Sequence, residues 1–549
     1  MDTRRLILFI VLSIGLMLGW QKLFPAKEAP VTTSQTATSS APTAAVASDN
    51  QLKDSSSNLD ADKVINVTTD LMKVQISTVG GDIRDLGLLK YSSYESSGEP
   101  YQILLNKNNR VFIAQTGLIS SDSRLDLPTH KTIFRTTDYS YTMAPDQNSL
   151  TVSMTATTES GGVVVIKSYT FKRGSYVVDV AYQIINNSAS PLNNISAYWR
   201  FLRDEEPPLG ETKFAHTFTG PVYYTSEAKF NTLKFENLNK NDVDYPQNVN
   251  NGWAGYTEHY FTTLWLMSPY DHPAVCSNGI QCRLTFKSVD GNLASAGIMT
   301  DLPVINPHSN YNVDVPMYVG PQEHTAMAAA APEIERVKDY GWVYIFATPL
   351  FWLLIQIFAI VKSWGWAIVL LTLLVKAVLY PLTRASYKSM AKMKALAPKM
   401  ERLKEQYGDD KAKLQQATMA MYREEKVNPL GGCLPMLLQI PVFFGLYYAL
   451  LASVELRQAS FFWMSDLSRP DPYFILPALL TVVMFLQTFL NPPAGDPMQQ
   501  KMMRIMPVAF GVMFFFFPAG LVVYYFVNNV LSVLQQWYVN KHVILKKAK

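Results

Sequence analysis

Apolar residues crowd into two regions of the chain, 6–24 and 342–540, and the stretch between them alternates like ordinary globular protein. Arg4 and Arg5 precede an apolar run from Leu6 to Trp20, the pattern of an export signal. That run ends in bulky and charged residues, Gly-Trp-Gln-Lys-Leu-Phe-Pro, where a cleavage site needs small ones. Residues 1–26 are therefore expected to stay as a transmembrane anchor, and whatever follows is exported. Residues 27–62 are rich in Ala, Thr, Ser and Pro and bury too little apolar surface to offset ordering entropy, so they read as a disordered linker.

From residue 63 short alternating runs begin. Lys73-Val-Gln-Ile-Ser and Ser149-Leu-Thr-Val-Ser-Met-Thr-Ala come first, then a break at Gly161-Gly162. Val163-Val-Val-Ile and Tyr176-Val-Val-Asp-Val-Ala-Tyr follow. Period-two alternation between turn residues predicts an all-β sandwich over 63–330, its strands ending near Val319 and a helix over Gln322–Arg336. Trp253, Tyr256, Tyr260 and Trp265 cluster beside Glu258 and His259. Such groups could line a sugar-binding or hydrolytic site, but aromatic residues on strands are expected to be core.

Residues 342–380 form an apolar run of 39 residues, too long for one span of about 20. It breaks at Lys362-Ser363-Trp364-Gly365, giving two elements. The segment 384–428 carries Arg384, Lys388, Lys392, Lys394, Lys399, Arg402, Lys404, Lys411, Lys413, Arg423 and Lys426, which marks it as cytoplasmic. An odd number of crossings must separate it from the exported domain. One element therefore lies in the interface: Pro349–Val361, within a segment 331–363, carrying Gln356. Trp364–Thr383 crosses, followed by Leu430–Leu451, Tyr473–Leu490, the short Ile505–Phe517 and Leu521–Tyr538, with a cytoplasmic loop Pro492–Arg504. The fold class is a multi-domain membrane protein: the β domain plus an α-helical core of five transmembrane helices over 364–542, a helical hairpin over 384–428, and a basic cytoplasmic tail at 543–549. Both termini are then cytoplasmic, and the anchor brings the spans to six.

In the hairpin, Met393, Leu396, Met400, Leu403 and Tyr407 fall at coiled-coil spacing, and Pro398 should kink the first helix. Gly408-Asp409-Asp410 ends that helix and caps a second, with Leu414, Ala417 and Met421 on one face. Solvated packing and an adaptable Met-rich docking surface both fit this pattern.

Charge sharpens the reading in one place. Net charge is only +4, so no basic field calls for a nucleic-acid sequence. Lys376, however, lies eight residues before Arg384, about 12 Å inside its helix end. Lys at the bilayer centre costs about 2.5–3.5 kcal/mol, and its stem snorkels only about 6 Å. The other spans hold no carboxylate at depth, so Lys376 is expected to face a water-filled cavity. Thr372, Gln439, Gln487, Asn528, Asn529, Ser532 and Gln535 are the polar residues that could complete it. The short span Ile505–Phe517 would thin the bilayer locally.

The chain has three cysteines and no metal-ligand spacing. Cys276 and Cys282 lie in the exported domain, where a disulfide persists, and Ala274–Phe286 reads as a hairpin turning at Asn278-Gly279. A longer or bulged turn would bring the two together; a two-residue turn would point them to opposite faces.

Five motifs, Val427-Asn-Pro-Leu-Gly-Gly-Cys-Leu-Pro, Gln439-Ile-Pro-Val-Phe, Ser453-Val-Glu-Leu-Arg, Asp496-Pro-Met-Gln-Gln-Lys and Phe517-Pro-Ala-Gly-Leu-Val, resemble those of the YidC membrane protein insertases of Gram-negative bacteria. The resemblance is dense over 330–540, and the anchor, linker and β domain fit that layout. It implies a groove open to cytoplasm and lipid but closed outside, in which Lys376 stands where the family usually has Arg. The charge is kept and the bidentate donor is lost. It further implies insertion without ATP or cofactor. The expected partners are nascent membrane proteins, the Sec translocon, ribosomes and membrane lipid. The expected slide into lipid is Ile440, Pro441, Met513 and Phe514, with Tyr525 beside the groove. A small-solute transporter is the rival from another class. Transporters show internal repeats and paired ionisable groups, and this chain shows neither.

Overall fold

The period-two segments fold as two sheets that share one core, antiparallel throughout except where Ser140–Thr142 pairs parallel to Val64–Thr68 at one edge. The computed structural model describes residues 64–547 apart from short internal segments, the longest being 209–217, 426–433 and 491–496. The anchor, the linker, Cys433 and the turn at Asn278-Gly279 lie outside the described residues.

One sheet has ten strands. Its middle runs Leu293–Asp301, Ile195–Asp204, Arg110–Ser120, Pro100–Lys107 and Ile83–Ser92. The other has nine described strands, eight of them in one path whose middle runs Trp253–Thr257, Phe261–Leu266, Met317–Pro321, Val177–Asn186 and Val163–Lys172, with Ser309–Asp314 paired to Val177–Asn186 off that path. Val163–Lys172 buries every second residue, as its sequence requires. Aromatic side chains join the layers. Phe201 stacks on Trp265 at 5.1 Å between ring centres, and Phe112 meets Tyr256 edge-on at 5.5 Å. Trp199, Trp253 and Trp265 are fully buried. At about 25 cal/mol per Å² and 150–250 Å² each, they contribute roughly 4–6 kcal/mol apiece. The aromatic cluster is thus core. Glu258 is held by Arg203 at 2.8 Å and by the Tyr101 hydroxyl at 3.1 Å.

Cys276 and Cys282 are joined by a disulfide, with Cα atoms 5.4 Å apart. The surrounding hairpin is not formed. Cys282 opens the strand Cys282–Val289, whose partners are Asn248–Val249 and Leu293–Asp301, and residues 273–276 are not strand. The Ala-rich stretch after the last strand is also not one helix. It holds a turn of helix at His324–Ala328 and a 3-10 turn at Ile334–Val337.

The helical region comprises α1 (Tyr344–Val361), α2 (Trp364–Ala395), α3 (Ala397–Tyr407), α4 (Lys411–Glu424), α5 (Leu434–Leu451), α6 (Ile475–Thr488), α7 (Pro497–Met513) and α8 (Ala519–Lys547). Lys362, in the left-handed conformation, separates α1 from α2 where the apolar run was expected to break. Several boundaries differ from expectation. α2 does not stop at Thr383 but runs on into the basic segment. The break falls at Leu396, beside Pro398, which cannot donate to the Lys394 carbonyl, whereas Pro381 is carried inside α2 without a break. α7 begins at Pro497, so residues 497–504 are helix rather than loop, and only the apolar portion from Arg504 to Phe516 is short. α8 carries the tail to Lys547 as helix. In the hairpin, Asp410 caps α4 by accepting from Lys413 N at 3.1 Å, and Leu396 and Met421 bury against Met393, Met400 and Leu403.

The segment between α5 and α6 ties the helices to the β domain. His259 Nε2 donates to the Leu451 carbonyl at 3.0 Å. Lys338 pairs with Glu455 at 3.1 Å. Arg457 donates to the Ser92 carbonyl at 2.6 Å and lies over the rings of Tyr94, Tyr101 and Phe261.

Candidate functional site

α2 and α8 pack along each other, and each brings polar residues to the contact at helical spacing. On α8, Tyr524, Asn528 and Ser532 follow at four-residue intervals, so they share a face. On α2, Thr372, Lys376 and Thr383 turn toward it. α5 closes the third side with Gln439 and Val442.

The result is a narrow, partly open cleft lined by Thr372, Val375, Lys376, Leu379, Thr383, Gln439, Val442, Tyr524 and Asn528. Lys376 is half-buried, and its ammonium donates to Ser532 Oγ at 2.7 Å. Ser532 Oγ in turn donates to its own helix at Asn528 O, 2.7 Å away. Gln439 Nε2 donates to Asn528 Oδ1 at 3.0 Å, and Gln535 Nε2 to Thr383 Oγ1 at 2.6 Å. Thr372 spends its hydroxyl on Ile368 O at 2.7 Å. Among the described residues no carboxylate pairs with Lys376. Its charge is met by neutral dipoles, an arrangement that leaves it able to attract an anion. Among the described residues no group of His, Cys, Asp and Glu could hold a metal.

The structure thus brings together Lys376, Thr372, Gln439, Asn528 and Ser532. It does not bring in Gln487, which is half-buried on α6 and does not line the cleft. Tyr525 is also misplaced. It is buried against Phe443 at 4.9 Å and Phe514 at 4.7 Å. Its neighbour Tyr524 lines the cleft instead, and four-residue spacing from Asn528 was the signal for it. Asn529 turns back to its own helix, donating to Tyr525 O at 2.8 Å.

Of the slide residues, Ile440 is exposed, Pro441 and Met513 are half-exposed, and Phe514 is buried against Tyr525 and so presents no surface. α7 exposes Ile505, Met506, Val508, Phe510 and Val512, among which Ile505, Val508 and Val512, with Phe516 in the turn that follows, fall at helical spacing.

Two family models divide the chain between them: the YidC periplasmic domain over residues 64–353 and the 60Kd inner membrane protein over 356–547. The membrane protein insertase YidC of Laribacter hongkongensis is 53% identical over 100% of this chain and 99% of its own length. This chain belongs to the YidC family of membrane protein insertases. The Neisseria meningitidis serogroup C relative of the same name is 43% identical over the same shares. A solved active YidC insertase with its first transmembrane domain resolved is 19% identical, covering 97% of this chain and 99% of its own, with a TM-score of 0.38. YidC insertases are inner-membrane proteins with a periplasmic domain and no enzymatic activity, and this chain has that two-part layout.

Proposed function

We propose that this insertase admits the polar head of a nascent membrane protein into the cleft at Lys376 and passes its apolar segment out along α5 and α7 into lipid. The observation that carries the reading is the state of Lys376: half-buried, bonded only to Ser532 among the described side chains, and facing an amide-lined cleft. An acidic or polar head replaces water at the ammonium. The apolar part then finds Ile440 and the stripe Ile505, Val508 and Val512 of α7, continued by Phe516 in the turn after it, all exposed.

In this reading α2, α5, α6, α7 and α8 cross the membrane, α1 lies along the outer interface, and the hairpin α3–α4 is cytoplasmic with both termini. The basic residues of 384–428 support that side. The hairpin meets the ribosome and its nascent chain, and the core works alone or beside the Sec translocon. Hydration of the cleft and release into lipid need neither nucleotide nor cofactor.

The test is photocrosslinking of a stalled nascent membrane protein. A crosslinker at Val375 or Val442 should give client adducts, and one at Ile360 of α1 should not. Adducts absent from both cleft positions, with the client still inserted, would sink the groove.

A further inference from the structure

The segment 459–475, which leads from α5 into the first residue of α6, buries Phe461, Met464 and Leu467 yet turns other large rings outward around a buried carboxylate. Asp471 is fully buried, and it accepts from Tyr473 N at 3.0 Å, Leu476 N at 2.7 Å and Trp463 Nε1 at 3.0 Å. Phe462, Tyr473 and Phe474 point outward, 72%, 68% and 48% exposed. Two of them are held in the left-handed region, Phe462 at φ 52° and Phe474 at φ 58°. A bulky residue is strained there, so the fold accepts strain in order to present apolar rings. Water does not reward that arrangement, and an apolar medium does.

The position of the segment selects the medium. Phe462 lies 6.1 Å from Trp366, itself half exposed in the first turn of α2. Tyr473 and Phe474 run directly into the exposed apolar residues of α6, Ile475, Leu479, Val482 and Leu486. The patch therefore continues the helix surface that faces lipid in the reading above, at the helix ends nearest the β domain. The inner side of the same segment is taken: Arg469 lies 4.3 Å from the Tyr94 ring of that domain. Aromatic residues gather at membrane interfaces. Trp463 turns its N–H inward to Asp471, which leaves the phenol of the exposed Tyr473 as the polar tip at the headgroup level.

We propose that residues 459–475 form a lip seated in the periplasmic leaflet, with Phe462, Trp463, Tyr473 and Phe474 at the boundary of headgroups and acyl chains and lipid as the partner. The proposal rests on the assignment of α2 and α6 as spans.

The test uses the full chain with Cys433→Ser, reconstituted in phosphatidylcholine–phosphatidylglycerol vesicles. An environment-sensitive dye is placed by Phe462→Cys, Phe474→Cys, Val482→Cys or Ile133→Cys, with Tyr473→Cys as a second lip site should Phe462→Cys fail to fold. Lipids brominated near the headgroup should quench positions 462 and 474 several-fold more than lipids brominated deep in the chain. Position 482 should show the reverse, and position 133, on the β domain, neither. Dye at 462 and 474 that behaves like position 133 while 482 is quenched overturns the lip. So does blue-shifted but unquenched dye at the lip, which would mean a protein partner or a second copy. Quenching lost at 482 but kept at 462 and 474 overturns the α6 span and supports the lip.

Discussion

Lys376 Nζ donates to Ser532 Oγ across 2.7 Å, joining α2 to α8 through the charge at the cleft. A hydrogen bond to an ion contributes about 1.5–3 kcal/mol. Ser532→Val should lower the unfolding temperature of the detergent-solubilised chain, with a loss of that order. Insertion should survive, because the ammonium remains and water can replace the hydroxyl. Thermal unfolding beside an insertion assay separates the two effects. Insertion lost as completely as in Lys376→Ala would show that Ser532 does more than hold the lysine.

α6 and α7 touch where Gly511 meets Thr481. A Cβ at 511 would lie 2.2 Å from the threonine hydroxyl and 2.8 Å from its Cβ. Gly511→Ala should therefore force the helices apart at about 1–3 kcal/mol. Thr481→Gly should restore much of it, since the clash is with that side chain. Unfolding of the single and double variants checks this; equal loss in both would place the strain elsewhere.

His130, buried in the β domain beside the Tyr198 hydroxyl, has its pKa lowered from 6.5 to about 3, first by burial and then by Arg200. The unfolded chain binds a proton on this group as pH falls through 6.5, and the folded chain does not until about pH 3. This contribution is full above pH 6.5 and is lost as pH falls across that window, at up to about 1.4 kcal/mol per pH unit. His130→Gln should flatten the acid limb of β-domain stability measured by tryptophan fluorescence. An unchanged slope would assign acid sensitivity to other groups.

Lys411→Cys in a Cys433→Ser chain should resist a membrane-impermeant thiol reagent applied to intact cells and react once the cells are opened. Labelling from outside would invert the assignment of the hairpin to the cytoplasm and every crossing counted from it.

Much of this was legible in the sequence, because strict alternation in Val163–Lys172 and a lone Lys within an apolar run leave few physical choices. The helix ends were not. Arg384 is a good helix former, and Thr383, a weaker one, returns its hydroxyl to Leu379 O at 3.0 Å, so polarity changes there without the helix stopping, and the break comes only beside Pro398. Composition also could not say which of two adjacent tyrosines faces the cleft. Tyr524 does and Tyr525 packs on Phe514, a distinction set by helical phase rather than residue type. The strands around Cys282 pair with segments distant in sequence, which the local Asn278-Gly279 turn signal could not reveal. The seating of Arg457 among aromatic rings of the β domain depends likewise on long-range packing.

The direct measurement is insertion of an acidic-headed membrane protein into proteoliposomes by Lys376→Arg, Lys376→Ala and Lys376→Glu. Charge rather than lysine geometry is what the cleft requires, so the Arg variant should insert at close to the parent rate. The Ala and Glu variants should fall by about tenfold or more, equivalent to roughly 1.4 kcal/mol at the entry step, with Glu the lower. Full activity of Lys376→Glu would contradict attraction of the client's head to a positive cleft.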